Sequence, residues 1–98
     1  MIQRFCFAKL LDDEVAGRVA LAADLARRLS AAGAQAVVGV PADESAIRWD
    51  LSIVITAASL EAWTQLAGSP AIAAAFAELA ARADVVKAWT FEPVPPAP

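Results

Sequence analysis

The chain is predicted to fold as an α+β protein of the ferredoxin-like kind. That is a β-α-β-β-α-β sandwich with a four-stranded antiparallel sheet and its helices on one face. Three observations predict it. Four short segments alternate their side chains with period two. The longer segments between them carry apolar residues at helical spacing. Capping residues, glycines and prolines stand at the joints as starts and stops. The 98 residues suffice for one domain, since domains usually run to roughly 100–150. Met1–Pro93 is expected to be that domain, and residues 94–98 a proline-rich C-terminal tail.

Ile2–Leu10 alternates Phe5 and Phe7 on one side with Ile2, Arg4, Cys6 and Ala8 on the other, a strand with both faces largely apolar. Asp12 or Asp13 can cap a helix from about Glu14 to Ala32, with Gly33 as its stop. Val15, Val19, Ala22, Leu25, Ala26 and Leu29 share its apolar stripe, with Leu21 at the margin. Glu14–Arg18 and Asp24–Arg28 stand in the favourable i, i+4 order, worth about 0.2–0.5 kcal/mol each. Ala34–Val40 is a second strand and PADESAI a polar loop. Trp49–Thr56 alternates Trp49, Leu51, Ile53 and Ile55 against Asp50, Ser52, Val54 and Thr56, a third strand. Ser59 caps a short helix over Leu60–Ala67. Gly68-Ser69 breaks it, and Ser69-Pro70 starts another helix that runs to about Ala83, with Ile72, Phe76 and Leu79 on one stripe. Val85–Glu92 is the last strand. PVPPAP cannot join the sheet centre and suits polyproline II.

Composition removes several chemistries. Hydrophobic residues make up 59% of the chain, so it is no disordered segment, although 26 of the 98 residues are alanine. Histidine, tyrosine and asparagine are missing. Ser-His-Asp and Cys-His catalysis, histidine metal sites and histidine haem ligation therefore go with them. Asp12-Asp13-Glu14 cannot converge on one ion and is better read as helix-start chemistry. No metal and no cofactor is expected, the four glycines being isolated rather than gathered in a phosphate loop. The net charge is −3 and the only adjacent basic pair is Arg27-Arg28, so nucleic acid is not an expected partner. The longest uncharged run, Ala62–Ala77, falls short of a bilayer span and is broken by Gly68-Ser69-Pro70. The opening MIQRFCFAKL lacks the pattern of a signal peptide, and Cys6 is alone. A cytoplasmic protein, without membrane partners, is the expectation.

Helices can cover one face of such a sheet, yet neither face is polar here. The first and last strands are neighbours in this topology, so Phe5, Phe7, Trp89 and Phe91 are expected to form one aromatic patch. Burying each ring fully is worth about 1.5–3 kcal/mol. A second copy presenting the same patch satisfies all four at once, so a homodimer is expected, with these residues as its interface.

The residues that carry these features resemble the stress-responsive α/β-barrel (Dabb) family. MIQRFCFAKLLDDEV is similar to that family's opening strand, RWDLSIVI to its third strand, LAGSPAIAAAF to its helix break and AWTFEP to its last strand. The resemblance spans Met1 to about Pro93. It implies a ferredoxin-like protomer and a homodimer whose sheets face each other as an α+β barrel. It also implies that Arg4, Cys6, Ala8, Leu51, Ile53, Ile55, Val86, Ala88 and Thr90 point toward the helices. Similar polyketide cyclases use a first-strand histidine and a histidine and tyrosine around the helix break. Those positions hold Arg4, Ile72 and Leu66 here, and none can carry that proton transfer. The related cofactor-free monooxygenases use asparagine, tryptophan and histidine, of which the first and last are lacking.

Arg4 is the most informative side chain left, a charge on a face expected to be buried. It is either ion-paired or snorkelling at the strand end, or it receives a ligand's carboxylate or enolate. The candidate pocket between sheet and helices comprises Arg4, Cys6, Leu51, Ile53, Ile72, Phe76, Ala88 and Thr90. Small side chains there would leave room for a ligand, unless alanine-rich helices sit closer and close the gap. Cys6 is expected to be a small, inert core residue. Trp49 and Trp63 are expected to fill the core or its rim. Three functions follow. The first is a homodimer without defined catalysis that holds a small apolar or carboxylated molecule. The second is a cofactor-independent cyclase or isomerase with Arg4 as electrostatic stabiliser. The third is a structural dimerisation module.

Overall fold

A computed structural model describes residues Met1–Pro98. Strands β1 (Ile2–Leu10), β2 (Gln35–Gly39), β3 (Leu51–Ala57) and β4 (Ala83–Phe91) form one antiparallel sheet in the order β2-β3-β1-β4. Helices α1 (Arg18–Ala31), α2 (Leu60–Ala67) and α3 (Pro70–Arg82) complete a ferredoxin-like α+β fold. The body measures 44 × 35 × 19 Å. Its thinnest dimension admits one sheet and one helical layer, each taking about 10 Å. One sheet face therefore has no cover within the chain.

The core lies between that sheet and α1 and α3. Cys6, Ala8, Leu51, Ile53 and Ile55 enter it from the strands; Leu21, Leu25, Leu29, Ile72, Ala75 and Leu79 enter it from the helices. The register pairs Cys6 with Ile53 and Ala88, and Ala8 with Leu51 and Val86, so these residues share the covered face. Val86 itself stays exposed on the edge strand β4, whereas Ala83 and Ala88 of the same strand pack against the core.

Joint chemistry explains the helix boundaries. Ser59 Oγ accepts from the Ala62 N–H at 3.0 Å and Ser69 Oγ from the Ile72 N–H at 3.4 Å. Gly33 ends the first helical segment with φ +91°, a conformation open to glycine. The expected cap at Asp12 or Asp13 does not form. Asp12–Gly17 is instead a 3-10 helix without a side-chain cap, and α1 begins at Arg18. Within α1 the buried stripe is Leu21, Ala22, Leu25 and Leu29, so Leu21, expected at the margin, is in the core, while Val19, expected on the stripe, is turned out of it by the helix's own period and is exposed. The tighter 3-10 winding separates Glu14 from Arg18. Glu14 pairs with Arg82 at 3.2 Å and Arg18 with Asp50 at 3.4 Å, whereas the expected Asp24–Arg28 pair forms at 3.8 Å.

β3 starts two residues later than expected. The chain turns through Ala46–Trp49, closed by the Trp49 N–H to the Ala46 carbonyl at 3.1 Å. Asp50 then joins the ends of β1 and β3. Its backbone N–H donates to the Ala8 carbonyl at 2.8 Å, and its carboxylate accepts from the Leu10 N–H at 2.9 Å. That carboxylate is largely buried and anchors Arg18 as well. Asp50→Ala should lower stability by about 2 kcal/mol in urea unfolding, because a donor next to the buried Leu10 loses a charged acceptor. Asp50→Asn, which keeps an acceptor, should lose less than about 1 kcal/mol. Equal losses would transfer the weight to the Arg18 ion pair.

Candidate functional site

The uncovered face is built by alternation. Phe5 lies between Val54 and Trp89, Phe7 between Ser52 and Lys87, and Gln3 between Thr56 and Phe91. Aromatic rings therefore meet across diagonals, within reach in an antiparallel pair. Phe5 packs edge-on against Phe91 at 5.7 Å between centroids and 81° between planes. Phe7 and Trp89 are 6.1 Å apart, tilted by 53°. Trp89 remains 47% exposed and Phe91 59%, while Phe5 and Phe7 are half-buried by their neighbours. Together with Gln3 and Pro93 the four rings line a shallow groove of about 580 Å³. Val37, 71% exposed, extends the apolar surface onto β2.

Trp49 corrects an expectation. Alternation groups it with Leu51, Ile53 and Ile55, but the turn before β3 carries it to the opposite face. Its ring lies 5.9 Å from that of Phe7. The cause is local: Ile47 has φ +56°, and the chain leaves extended geometry just before the strand. A β-branched residue in that region is strained. Trp49, Phe7, Val40, Pro41, Ala46 and Leu51 enclose, with Ser52, a second groove of about 200 Å³ at the end of the open face. Arg48 stacks over the Trp49 ring at 4.6 Å. Period-two counting could not find this site, since one turn residue reverses the side of everything before it. Trp63, by contrast, packs against the core as expected.

The residues expected around an interior pocket divide into two groups. Cys6, Leu51, Ile53 and Ile72 are buried, with Phe76 and Ala88 packed against them. The space among Leu25, Leu29, Ile53, Ala75 and Phe76 has no volume for a water molecule. The interior is closed because alanines such as Ala22 and Ala75 let the helices approach the small side chains of β1. Arg4 and Thr90 lie at the end of this layer, half-buried. Arg4 donates from Nη1 to the Thr90 hydroxyl at 3.0 Å, and its guanidinium sits 5.6 Å from the centre of the Trp63 ring. No carboxylate lies within ion-pair distance of it. Of the alternatives expected for Arg4 the ion pair does not form; a hydroxyl and an aromatic face meet the guanidinium instead, a combination suited to a half-buried arginine. Thr90 also lines a cleft of about 420 Å³ with Met1, Ile2, Ser59, Leu60 and Glu92.

No protein-family model matches the chain, and no curated protein matches it in sequence. Solved structures do match its fold. A dimeric ferredoxin-like protein of unknown function from Bacteroides fragilis superposes with a TM-score of 0.75 at 18% identity, over 93% of this chain and 94% of its own. A dimeric ferredoxin-like protein of unknown function from a Jannaschia species gives 0.75 at 16%, over 93% and 97%. An antibiotic biosynthesis monooxygenase gives 0.74 at 8%, over 97% and 100%. These likenesses establish the fold of the protomer. No helix is long and apolar enough to cross a membrane.

Burial pushes the Cys6 thiol above its ordinary value of 9.0, and the Arg4 charge draws it part of the way back. An unfolded chain would ionise this thiol near that ordinary value while the folded one keeps the proton. The stabilisation is whole below about pH 9 and is lost as pH rises through the folded value. The melting-temperature gap between the native chain and Cys6→Ala should therefore narrow as the pH is raised above that ordinary value. Parallel curves would mean that folding leaves the thiol unshifted.

Proposed function

We propose that the chain is a homodimer of the stress-responsive α/β-barrel kind, in which two open sheet faces meet as an α+β barrel. Its primary role in this reading is assembly around an apolar interior rather than acid–base catalysis. The observation that carries it is the contiguous aromatic surface of Phe5, Phe7, Trp89 and Phe91 on the uncovered face. A monomer would leave these rings in water, whereas an isologous contact removes them from it together. Two of the solved structures of this fold are described as dimeric, which supports the same assembly here. Ile72 and Leu66, at positions that carry proton-transfer groups in the similar cyclases, belong to the packed layer. Phe5→Glu or Trp89→Glu should reduce the sedimenting mass from twice the chain mass to 10.2 kDa. An unchanged mass with either variant would reject this mating surface.

A second reading concerns small molecules, and the observation favouring it is the Arg4 guanidinium without a carboxylate partner beside the Thr90 cleft. In this reading Arg4 receives a ligand carboxylate or enolate oxygen, either for binding alone or as the electrostatic stabiliser of a cofactor-independent cyclisation or isomerisation. With benzoate as probe in calorimetry, Arg4→Ala should weaken binding at least about tenfold, the worth of a charged hydrogen bond. Unaltered affinity would remove Arg4 from the site.

A further inference from the structure

We infer that the proline-rich segment Glu92–Pro98 of each copy crosses to the other and lies in the groove beside Trp49. The inference rests on the homodimer proposed above and adds its orientation and a second contact. Segment and groove have matching chemistry. Four of the seven residues from Glu92 to Pro98 are prolines, and all seven are exposed without regular structure. Such segments hold a polyproline II form at little entropic cost and dock in aromatic-lined grooves. Trp49 and Phe7, with Val40 and Pro41, form one.

Geometry assigns the groove to the other copy's segment. β4 runs toward the Gln3 end of β1, where Phe91 lies opposite Gln3. The groove is at the Phe7 end, four residues or about 13 Å away along the strand. A chain's own segment would have to reverse at once, against the stiffness imposed by Pro93, Pro95 and Pro96. Pro93 already lies on the open face, beside Phe5 and Phe91. A two-fold axis in the plane of the apposed faces and perpendicular to the strands places the partner's β4 end at the Phe7 end of this copy. From there the groove lies two strand spacings to the side, about 10 Å. Seven residues of polyproline II span about 22 Å.

The test is a disulfide trap in the full chain. In a Cys6→Ala background, one variant carries both Val94→Cys and Ala46→Cys, and a control carries Val94→Cys alone. Sedimentation under reducing conditions precedes mild oxidation and denaturing mass analysis. The expected result is a dimer that becomes covalent in the double variant, at twice the chain mass, and not in the control. A dimer that closes its disulfide within one chain, or forms none, or cross-links equally in the control, overturns segment exchange and leaves the sheet-to-sheet dimer standing. A monomer in sedimentation overturns the dimer and the exchange together.

Discussion

One helical layer must serve two apolar sheet faces, and it can cover only one. The rest of the molecule follows from that constraint. α1 and α3 cover the side that carries Cys6, Ala8, Leu51, Ile53 and Ile55. The opposite side keeps Phe5, Phe7, Trp89 and Phe91, joined by diagonal ring contacts and still in reach of solvent. Sheets with two apolar faces are ordinarily covered on both. In the homodimer proposed above a second copy supplies the other cover, as the dimeric description of two proteins of the same fold supports.

The covered layer has a different character because its residues are small where the rings opposite are large. Cys6 and Ala8 on β1 face Ala22 and Ala75 on the helices, so the layers close until no water fits among Leu25, Leu29, Ile53, Ala75 and Phe76. Small side chains can open a cavity only if the backbone around them is held apart. Here the helices follow the small residues inward. Polar chemistry is displaced to the ends of the layer. Arg4 rests between Thr90 and the Trp63 ring at one end, and Asp50 joins Leu10 and Arg18 at the other. The first keeps an unpaired positive charge near a cleft; the second fastens two strands to a helix.

Much of the candidate site was legible in the alternation of β1 and β4. Period two groups Phe5 with Phe7 and Trp89 with Phe91, and the register of β1 with β4 then sets both pairs on one face. The helix break at Gly68-Ser69 was legible too, since a capping serine followed by proline acts through local geometry alone. Trp49 was not legible. Its side depends on Ile47, whose left-handed backbone no propensity favours and which only the surrounding turn maintains. The partners of Glu14 and Arg18 were hidden for a similar reason. A 3-10 segment in place of an α-helical turn rotates both side chains away from each other and toward elements distant in sequence.

By itself, the sequence determined the order of elements, the faces of the strands and the capped starts of α2 and α3. Each of these depends on residues a few positions apart, where side-chain period and hydrogen bonding to the backbone suffice. Only the tertiary structure decided whether the interior holds a cavity, which partner each charge finds and on which side Trp49 lies. Those outcomes depend on how closely whole layers approach and on a strained turn backbone that no residue preference at Ile47 announces.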